Sequence, residues 1–62
     1  MQNPVVVMNA KNRAFWDGYG GYSNDIYEAK IFSEDNAKII FEDRLNNDMV
    51  RLVSIKIEIV TK

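Results

Sequence analysis

A chain of 62 residues has room for a single small domain, since a chain of this length buries only about 60% of the surface that it exposes when unfolded. Apolar residues make up 47% and charged residues 27%, a balance that predicts a folded domain and excludes the composition of disordered chains. The lack of cysteine excludes disulfides and thiolate metal sites, and a net charge of −1 disfavours sequence-independent binding to DNA.

The first residues of the chain carry no recognisable targeting signal. Met1 to Met8 has no basic segment and a run of only four apolar residues, far short of a signal peptide or of the roughly 20 apolar residues in a membrane span. Together with the lack of cysteine, this predicts a single cytoplasmic domain over residues 1–62 with no membrane association.

Two strand-like segments open the chain. Pro4 precedes the apolar run from Val5 to Met8, which predicts a first strand. Polar turn residues occupy 9–12, and the run from Arg13 to Trp16 predicts a second strand. The short polar connection favours an antiparallel hairpin.

A glycine-rich loop is predicted over residues 17–25, with Tyr19 and Tyr22 on it. Its glycines do not complete a phosphate-binding motif, so a flexible loop is the favoured interpretation. Asp25 is expected to cap a short helical turn, and an extended segment over 29–32 leads to the next element.

The helix predicted from Glu34 to Leu45 is the clearest local signal in the sequence. Ser33 is its expected N-cap, and Glu34 and Lys38 lie one turn apart in the stabilising orientation. Its apolar side chains share a face that we expect to be buried: Ala37, Ile40, Phe41 and Leu45. Its polar side chains share the solvated face: Asp35, Lys38, Glu42, Asp43 and Asn46.

Asn46 and Asn47 are expected to end this helix, because asparagine tolerates the left-handed backbone conformation of helix ends. A long strand follows from Met49 to Val60, and its alternating apolar residues are expected to face the helix: Val53, Ile55, Ile57 and Ile59. These elements predict an α+β fold. We expect a small, mostly antiparallel sheet of three or four strands, in the order strand, strand, optional third strand, helix, strand, with the helix on one face.

The residue types that most enzymes use are absent. The chain has no histidine and no cysteine, so it lacks an imidazole base, a thiol nucleophile and the usual ligands of transition metals. Its helix carboxylates are expected on a solvated face, where acid–base catalysis is disfavoured. We therefore predict a non-enzymatic protein with no catalytic residue, no metal site and no cofactor.

Aromatic residues are concentrated in one part of the chain. Five of them fall within thirteen positions, too many for one side of a small core: Phe15, Trp16, Tyr19, Tyr22 and Tyr27. If Phe15 packs under the helix, Trp16 must point outward, because adjacent strand residues face opposite sides of a sheet. Trp16, Tyr19 and Tyr22 are therefore candidate partner-binding residues. The plainer alternative is that Trp16 and one tyrosine only cover the outer face of the sheet.

Ile39 is the exception on the predicted solvated face of the helix. It lies among the carboxylates of Asp35, Glu42 and Asp43. A single exposed isoleucine needs no functional explanation, so a solvated face is the plain interpretation. The functional interpretation is a second partner-binding surface formed by these four residues.

Four short features follow one another between Phe15 and Phe41: the aromatic pair Phe15-Trp16, the glycine-rich turn ending in Gly21-Tyr22-Ser23, an acidic spacer, and Ala29-Lys30-Ile31-Phe32-Ser33 before a helix with Ala37. In this order they resemble small accessory proteins encoded by tailed bacteriophages and prophages. The members that are understood bind and disable a host enzyme or defence complex, as anti-CRISPR proteins do. The resemblance implies an aromatic hairpin before the helix, a bacterial host protein as the partner and the bacterial cytoplasm as the location.

Two binding functions follow from these features. The leading hypothesis is a phage-type protein that binds and modulates or inhibits a bacterial host protein, for example a defence or nucleic-acid-processing complex. The second is a module for single-stranded nucleic acid or nucleotides, in which bases stack on Trp16, Tyr19 and Tyr22. Its phosphate-binding cations would be Lys11, Arg13 and Arg51. The net charge of −1 disfavours this second hypothesis.

The third hypothesis is a homodimeric interaction domain. The strand from Met49 to Val60 is expected to pair with its twin if it lies at a sheet edge, and to be hidden if it lies beside the first strand in the sheet centre. Val50 and Leu52 are the candidate contacts. Leu52 is predicted to face away from the helix, opposite Val53 and Ile55.

Overall fold

Within residues 3–56, the β-branched and amphipathic segments form a five-stranded antiparallel sheet with two short helices on one face. The computed structural model describes residues 3–56. The strands are β1 (Pro4–Asn9), β2 (Phe15–Trp16), β3 (Tyr22–Ser23), β4 (Phe32–Ser33) and β5 (Val50–Ser54), the helices are α1 (Glu34–Ile40) and α2 (Glu42–Asn46), and a 3-10 turn spans Ile26–Glu28. The predicted α+β fold is confirmed. The described part of the sheet has five strands instead of three or four, because two-residue strands such as β3 leave no alternating pattern in the sequence.

β1 is the central strand of this sheet. β5 pairs antiparallel with it over residues 5–9 on one side. On its other side, β4 pairs with its beginning and β2 with its end, so these two short strands lie in line. The side chains of Val5, Val6 and Val7 are therefore almost completely buried, as expected of a strand covered on both faces.

The predicted hairpin between β1 and β2 is confirmed. The side chain of Asn9 accepts hydrogen bonds from the N–H groups of Lys11 and Asn12, which fold the turn back on itself. Arg13 belongs to this turn and not to the second strand, because its backbone is left-handed, with φ of 61°. β2 is consequently shorter than the sequence predicts.

The helical segment begins where the sequence predicts it. The Ser33 hydroxyl accepts a hydrogen bond from the N–H of Asn36 at 3.3 Å, so Ser33 is the N-cap of α1. The single predicted helix is instead divided at Phe41, whose backbone leaves the helical region with φ of −108° and ψ of 21°. This break separates α1 from α2.

The chain leaves α2 one residue later than predicted. Asn46 is the last residue of α2, and Asn47 donates hydrogen bonds from its backbone N–H and its side-chain amide to the C=O of Asp43. These bonds keep Asn47 right-handed. Asp48 takes the left-handed conformation instead, with φ of 56°.

The hydrophobic core lies between the sheet and the two helices. Its buried members are Val5, Val7, Ala37, Phe41 and Val50. Four partly buried residues pack against them: Trp16, Phe32, Leu45 and Leu52. The prediction that Ile40 is buried is wrong, since this side chain is 62% exposed. Side chains four residues apart, at 37, 41 and 45, form the buried strip, and Ile40 lies to one side of it.

The side chains of β5 that face the helices are the opposite set to the predicted one. Leu52 pairs with Val7, and both side chains belong to the core under the helices, as does Val50. The prediction that Leu52 faces away from the helices is therefore wrong, and Val50 is too buried to serve as a self-association contact. By alternation, Val53 and Ile55 lie on the other face of the sheet.

Both faces of β1 are apolar, which explains why the wrong face of β5 was predicted to meet the helices. Val6 faces away from the helices and is as well buried as its neighbours. The apolar side chains of a strictly alternating strand therefore find apolar neighbours on either face of the sheet. The sequence shows that alternate residues share a face, but it does not show which face meets the helices. Ile57 and Ile59, which the sequence assigns to the helix-facing side, lie outside the described residues.

Glu34 makes an ion pair and a hydrogen bond at the start of α1. Lys38 Nζ lies 3.2 Å from its Oε1, and the Asn3 side-chain amide donates to its Oε2 at 3.5 Å. The hydrogen bond from Lys38, then the hydrogen bond from Asn3 and the charge of Lys38, lower the pKa of Glu34 below its usual value of 4.5. The carboxylate form is therefore favoured in the folded state.

Substitution Glu34→Gln is expected to flatten the acid side of the stability curve. A carboxyl whose pKa is lower in the folded state stabilises the fold above about pH 4.5, and this contribution is lost as the pH falls through the lower value. The midpoint of thermal unfolding, followed by circular dichroism between pH 3 and 7, measures the slope. Lys38→Gln removes the other partner and is expected to flatten the curve similarly. An unchanged slope in both variants would contradict the assignment.

Candidate functional site

Trp16 lies on the helix side of the sheet, where its ring packs into an aromatic cluster. Its centroid is 6.0 Å from that of Phe41 and 5.4 Å from that of Tyr22, both in edge contact. The prediction that Trp16 points outward while Phe15 packs under the helix is reversed. Phe15 pairs with Met8, whose side chain faces away from the helices, so Phe15 takes that face and Trp16 the other.

Phe41 is the hub of this aromatic cluster. Its ring is 2% exposed and also makes an edge contact with Phe32 at 5.7 Å. The guanidinium carbon of Arg44 lies 5.5 Å from the Phe41 centroid, a cation–π arrangement. Edge-to-face pairs contribute roughly 0.5–1.5 kcal/mol each beyond the burial of their area. Packing into the cluster therefore holds Phe41 inward at the point where the helix breaks.

A groove of about 460 Å³ opens beside the helix break, lined by Trp16 and residues 39–44. We call this surface the helix-break groove. Ile39 and Ile40 on its wall are 73% and 62% exposed, whereas Phe41 at its floor is buried. Three consecutive apolar residues cover about 200° of a helix surface, so they cannot all face the sheet. Turning Phe41 inward leaves the isoleucine pair in solvent.

The rim of the helix-break groove is acidic. Glu42 and Asp43 are exposed in the first turn of α2, and neither carboxylate forms an ion pair within residues 3–56. The neighbouring cation, Arg44, is held over the Phe41 ring. The groove thus presents an apolar wall next to two carboxylates that form no ion pair with a described cation, although Arg44 also lines it.

The structure brings four of the seven predicted partner-binding residues together in this groove: Trp16, Ile39, Glu42 and Asp43. Tyr22 lies behind Trp16, against its ring. Asp35 is exposed in the first turn of α1 and does not line the groove. Tyr19 also lies outside it, so the two surfaces predicted from the sequence meet only through Trp16.

Tyr19 stands at the tip of a loop that its neighbours hold in shape. The Asp17 carboxylate accepts hydrogen bonds from the N–H groups of Tyr19 at 2.7 Å and Gly21 at 3.2 Å. Gly18 and Gly20 take positive φ values of 85° and 90°, which glycine adopts without strain. The loop is shorter than predicted because Tyr22 belongs to β3. The Tyr19 side chain is 94% exposed.

Ile40, Phe41 and Arg44 line the groove but were not predicted as site residues. The sequence contained one usable signal, the run Ile39-Ile40-Phe41, which is too wide for one helix face. Nothing in the sequence placed Arg44 over an aromatic ring, because that contact depends on the break between the helices.

A second depression lies on the opposite face of the sheet. It measures about 310 Å³ and is lined mainly by apolar residues, among them Val6, Ile26, Ile31 and Ile55. Ile31 there is 51% exposed, so it too is an isoleucine with a largely accessible side chain. Ile31 therefore offers a matched control for substitutions at Ile39.

Comparisons with protein-family models, curated proteins and solved structures gave no match. Within residues 3–56, neither helix has the length and apolar composition needed to cross a bilayer. The same part of the chain contains no group of three acidic side chains that could hold a metal ion.

Proposed function

We propose that this chain is a non-enzymatic binding domain whose helix-break groove takes up an apolar side chain of a protein partner. The exposed pair Ile39 and Ile40 beside Trp16 is the observation that carries the proposal. Burying an exposed isoleucine stabilises a complex by about 1.5–3 kcal/mol, and tryptophan is enriched among residues that dominate binding energies. The absence of histidine and cysteine from the chain supports a non-catalytic role.

The acidic rim specifies the chemistry of the partner. Glu42 and Asp43 favour lysine or arginine side chains around the inserted apolar residue. Exposed charge pairs of this kind set orientation and association rate more than affinity, and salt screens them. We therefore expect association with the partner to slow as the ionic strength rises.

The source of the partner rests on the resemblance to phage and prophage accessory proteins. It supports a bacterial host protein as the partner, with binding in the bacterial cytoplasm and modulation or inhibition of that protein as the outcome. A defence or nucleic-acid-processing complex is the kind of target that the resemblance suggests.

The side chains around Trp16 support binding of nucleic acid less than binding of a protein. Trp16 is packed between Tyr22 and Phe41 and has carboxylates beside it in the groove, so a phosphate near this ring would be repelled. The cation Arg51 pairs with Met8, whose side chain lies on the other face of the sheet.

Substitution Ile39→Asp is expected to abolish capture of the partner from bacterial lysate. Loss of a binding hot spot costs about 2 kcal/mol or more, equivalent to a roughly 30-fold weaker complex. The matched control is Ile31→Asp, which places the same carboxylate at a second exposed isoleucine, on the opposite face. Quantitative mass spectrometry of the proteins retained by each immobilised variant measures the effect.

Selective loss at position 39 is the result that supports the proposal. A protein retained equally by wild type and both variants does not use the helix-break groove. If Ile31→Asp loses the partner and Ile39→Asp keeps it, the binding surface lies on the opposite face and the proposal fails. Circular dichroism of both variants excludes unfolding as the cause.

A further inference from the structure

Ile39 lines a second hollow besides the helix-break groove. This hollow measures about 360 Å³, lies on the outer surface of α1 and α2, and shares Ile39 and Glu42 with the groove. We call it the helix-surface hollow, and its lining consists of Lys38, Ile39, Glu42, Leu45 and Asn46. Because Ile39 and Glu42 line both hollows, their side chains form the ridge between them.

The helix-surface hollow has the residue spacing that receives a side chain from a facing helix. Lys38, Glu42 and Leu45 follow one another at intervals of four and three residues. Ile39, Glu42 and Asn46 follow at intervals of three and four. Neighbours at these spacings form the holes into which side chains of a packed helix insert. The exposed Ile39 and the partly buried Leu45 supply apolar walls, so an apolar side chain suits the hollow.

Two apolar side chains on one partner helix would fill both hollows. Helix residues three or four apart have Cβ atoms about 5–6 Å apart, a separation that spans a single ridge of side chains. An extended segment fits less well, because its backbone N–H and C=O groups need an open strand edge. The hollows are lined by residues 38–46 and by Trp16, whose strand β2 pairs on both sides, with β1 and β3. A helix bonds its own backbone groups and needs no such edge.

The charges of the two hollows favour a basic helix. Glu42 stands on the ridge and Asp43 beside it, and neither forms an ion pair within residues 3–56. Of the two cations that line the hollows, Lys38 is paired with Glu34 at 3.2 Å and Arg44 lies over an aromatic ring. A lysine or arginine beside the inserted side chains would therefore meet a carboxylate. A second copy of this chain fits poorly, because a two-fold contact would set the same carboxylates against each other.

We infer that the partner segment is a basic amphipathic helix whose two apolar side chains, three or four residues apart, insert on either side of the ridge formed by Ile39 and Glu42. This inference rests on the proposed function and adds the conformation, charge and spacing of the segment that the groove receives. Recognition of this kind buries the apolar face of the partner helix and leaves its polar face in water.

Fluorescence titration with designed peptides tests the inference. Trp16 is the single tryptophan of the chain and lines the groove, so its emission reports a peptide that binds there. The probe is a capped peptide of about 18 residues, or five helical turns, without aromatic residues. It carries leucine at helical spacing on one face and lysine and alanine elsewhere. We expect this lysine peptide to bind with a dissociation constant below about 1 mM.

Two further peptides separate charge from conformation. The first has glutamate in place of every lysine, and we expect it to bind about tenfold more weakly, because its carboxylates meet those of Glu42 and Asp43. The second has proline at two central lysine positions, which prevents a continuous helix, and it should also bind about tenfold more weakly.

Two pairs of variants assign the lysine peptide to both hollows. Glu42→Lys reverses the charge on the ridge and should weaken binding about tenfold, whereas Glu28→Lys makes the same change at an exposed position that lines neither hollow. Asn46→Phe fills the helix-surface hollow and should also weaken binding about tenfold. Its control is Asn36→Phe, at an exposed position of α1 that lines neither hollow. Circular dichroism shows whether each variant is folded.

The outcomes distinguish this inference from the proposed function. A preference for the lysine peptide that is lost in Glu42→Lys and Asn46→Phe, and kept in both controls, supports the inference. It is overturned if the lysine peptide does not bind below about 1 mM, if the three peptides bind equally, or if a folded Asn46→Phe variant binds like the wild type. If a variant unfolds, the three peptides on the wild type decide.

The proposed function has its own readout, the loss of the captured protein on Ile39→Asp. If that loss occurs while the peptides show no preference, the groove binds a protein but not through a basic helix. If Ile39→Asp retains both the captured protein and the lysine peptide, the proposed function and this inference both fail.

Discussion

Substitution Phe41→Ala is expected to lower the free energy of unfolding by about 3–5 kcal/mol. The Phe41 ring is 2% exposed, meets the rings of Trp16 and Phe32 edge to face and lies under the Arg44 guanidinium. Its loss removes these contacts and leaves a cavity at the centre of the core. Natural domains have roughly 0.05–0.15 kcal/mol of stability per residue, so this variant should be close to unfolded at room temperature.

Urea unfolding followed by circular dichroism measures this loss, with Ile40→Ala as the control. Ile40 is the neighbouring residue and is mostly exposed, so its truncation should change stability by no more than about 0.5 kcal/mol. Equal losses for the two variants would mean that Phe41 is not the hub of the aromatic cluster.

Substitution Ala37→Asp is expected to have a comparable effect by a different mechanism. Ala37 is completely buried in the core cluster with Val5, Val7 and Phe41, and the described residues include no buried polar group that could pair with a carboxylate there. An uncompensated buried charge costs about 3–5 kcal/mol. Burial would raise the pKa of the new carboxyl, so the defect should shrink as the pH falls toward about 4 and the group becomes protonated.

The matched control for this charge is Asn36→Asp. Asn36 is the preceding residue and is exposed, so the same carboxylate stays in water. Being in the first turn of α1, it should be neutral or slightly stabilising through the helix dipole. Thermal unfolding at pH 4 and pH 7 distinguishes the variants. A loss at position 37 that is small, or the same at both pH values, would contradict the described packing of α1 on the sheet.

The parts of the fold that depend on neighbouring residues could be predicted from the sequence. The turn after β1, the Ser33 cap and the pair of Glu34 with Lys38 rest on interactions within four residues, and all three are confirmed. Asp25 also caps its turn as predicted, accepting a hydrogen bond from the Tyr27 N–H at 2.9 Å. Local geometry determines these features before any tertiary contact forms.

The parts that depend on tertiary packing could not be predicted. Whether Phe15 or Trp16 faces the helices depends on the register of β2 against β1, which alternation alone leaves open. The same ambiguity led to the wrong side for Leu52. The helix break at Phe41 has no proline or glycine to announce it, since it accompanies the packing of that ring against Trp16 and Phe32.

For the same reason, the sequence predicts several residues of the candidate site but not that they lie together. Ile39, Glu42 and Asp43 were found because helical periodicity places them away from the buried strip. Trp16 is predicted as a site residue because tryptophan is common in binding sites, although its side chain faces the helices and not the outer side of the sheet. Only the sheet register and the helix break bring these side chains around one groove, with Ile40 as its second apolar residue.

The central claim, that the helix-break groove contacts a protein partner, is tested most directly by site-specific photo-crosslinking. The photoreactive residue p-benzoylphenylalanine, placed singly at position 39 or at position 31, reacts only with groups within a few ångströms of its ring. We expect irradiation in bacterial lysate to give one dominant protein adduct at position 39 and none at position 31, with adduct formation falling as salt is raised. The opposite pattern, or no adduct at position 39 while the wild type still captures a partner, would contradict the claim.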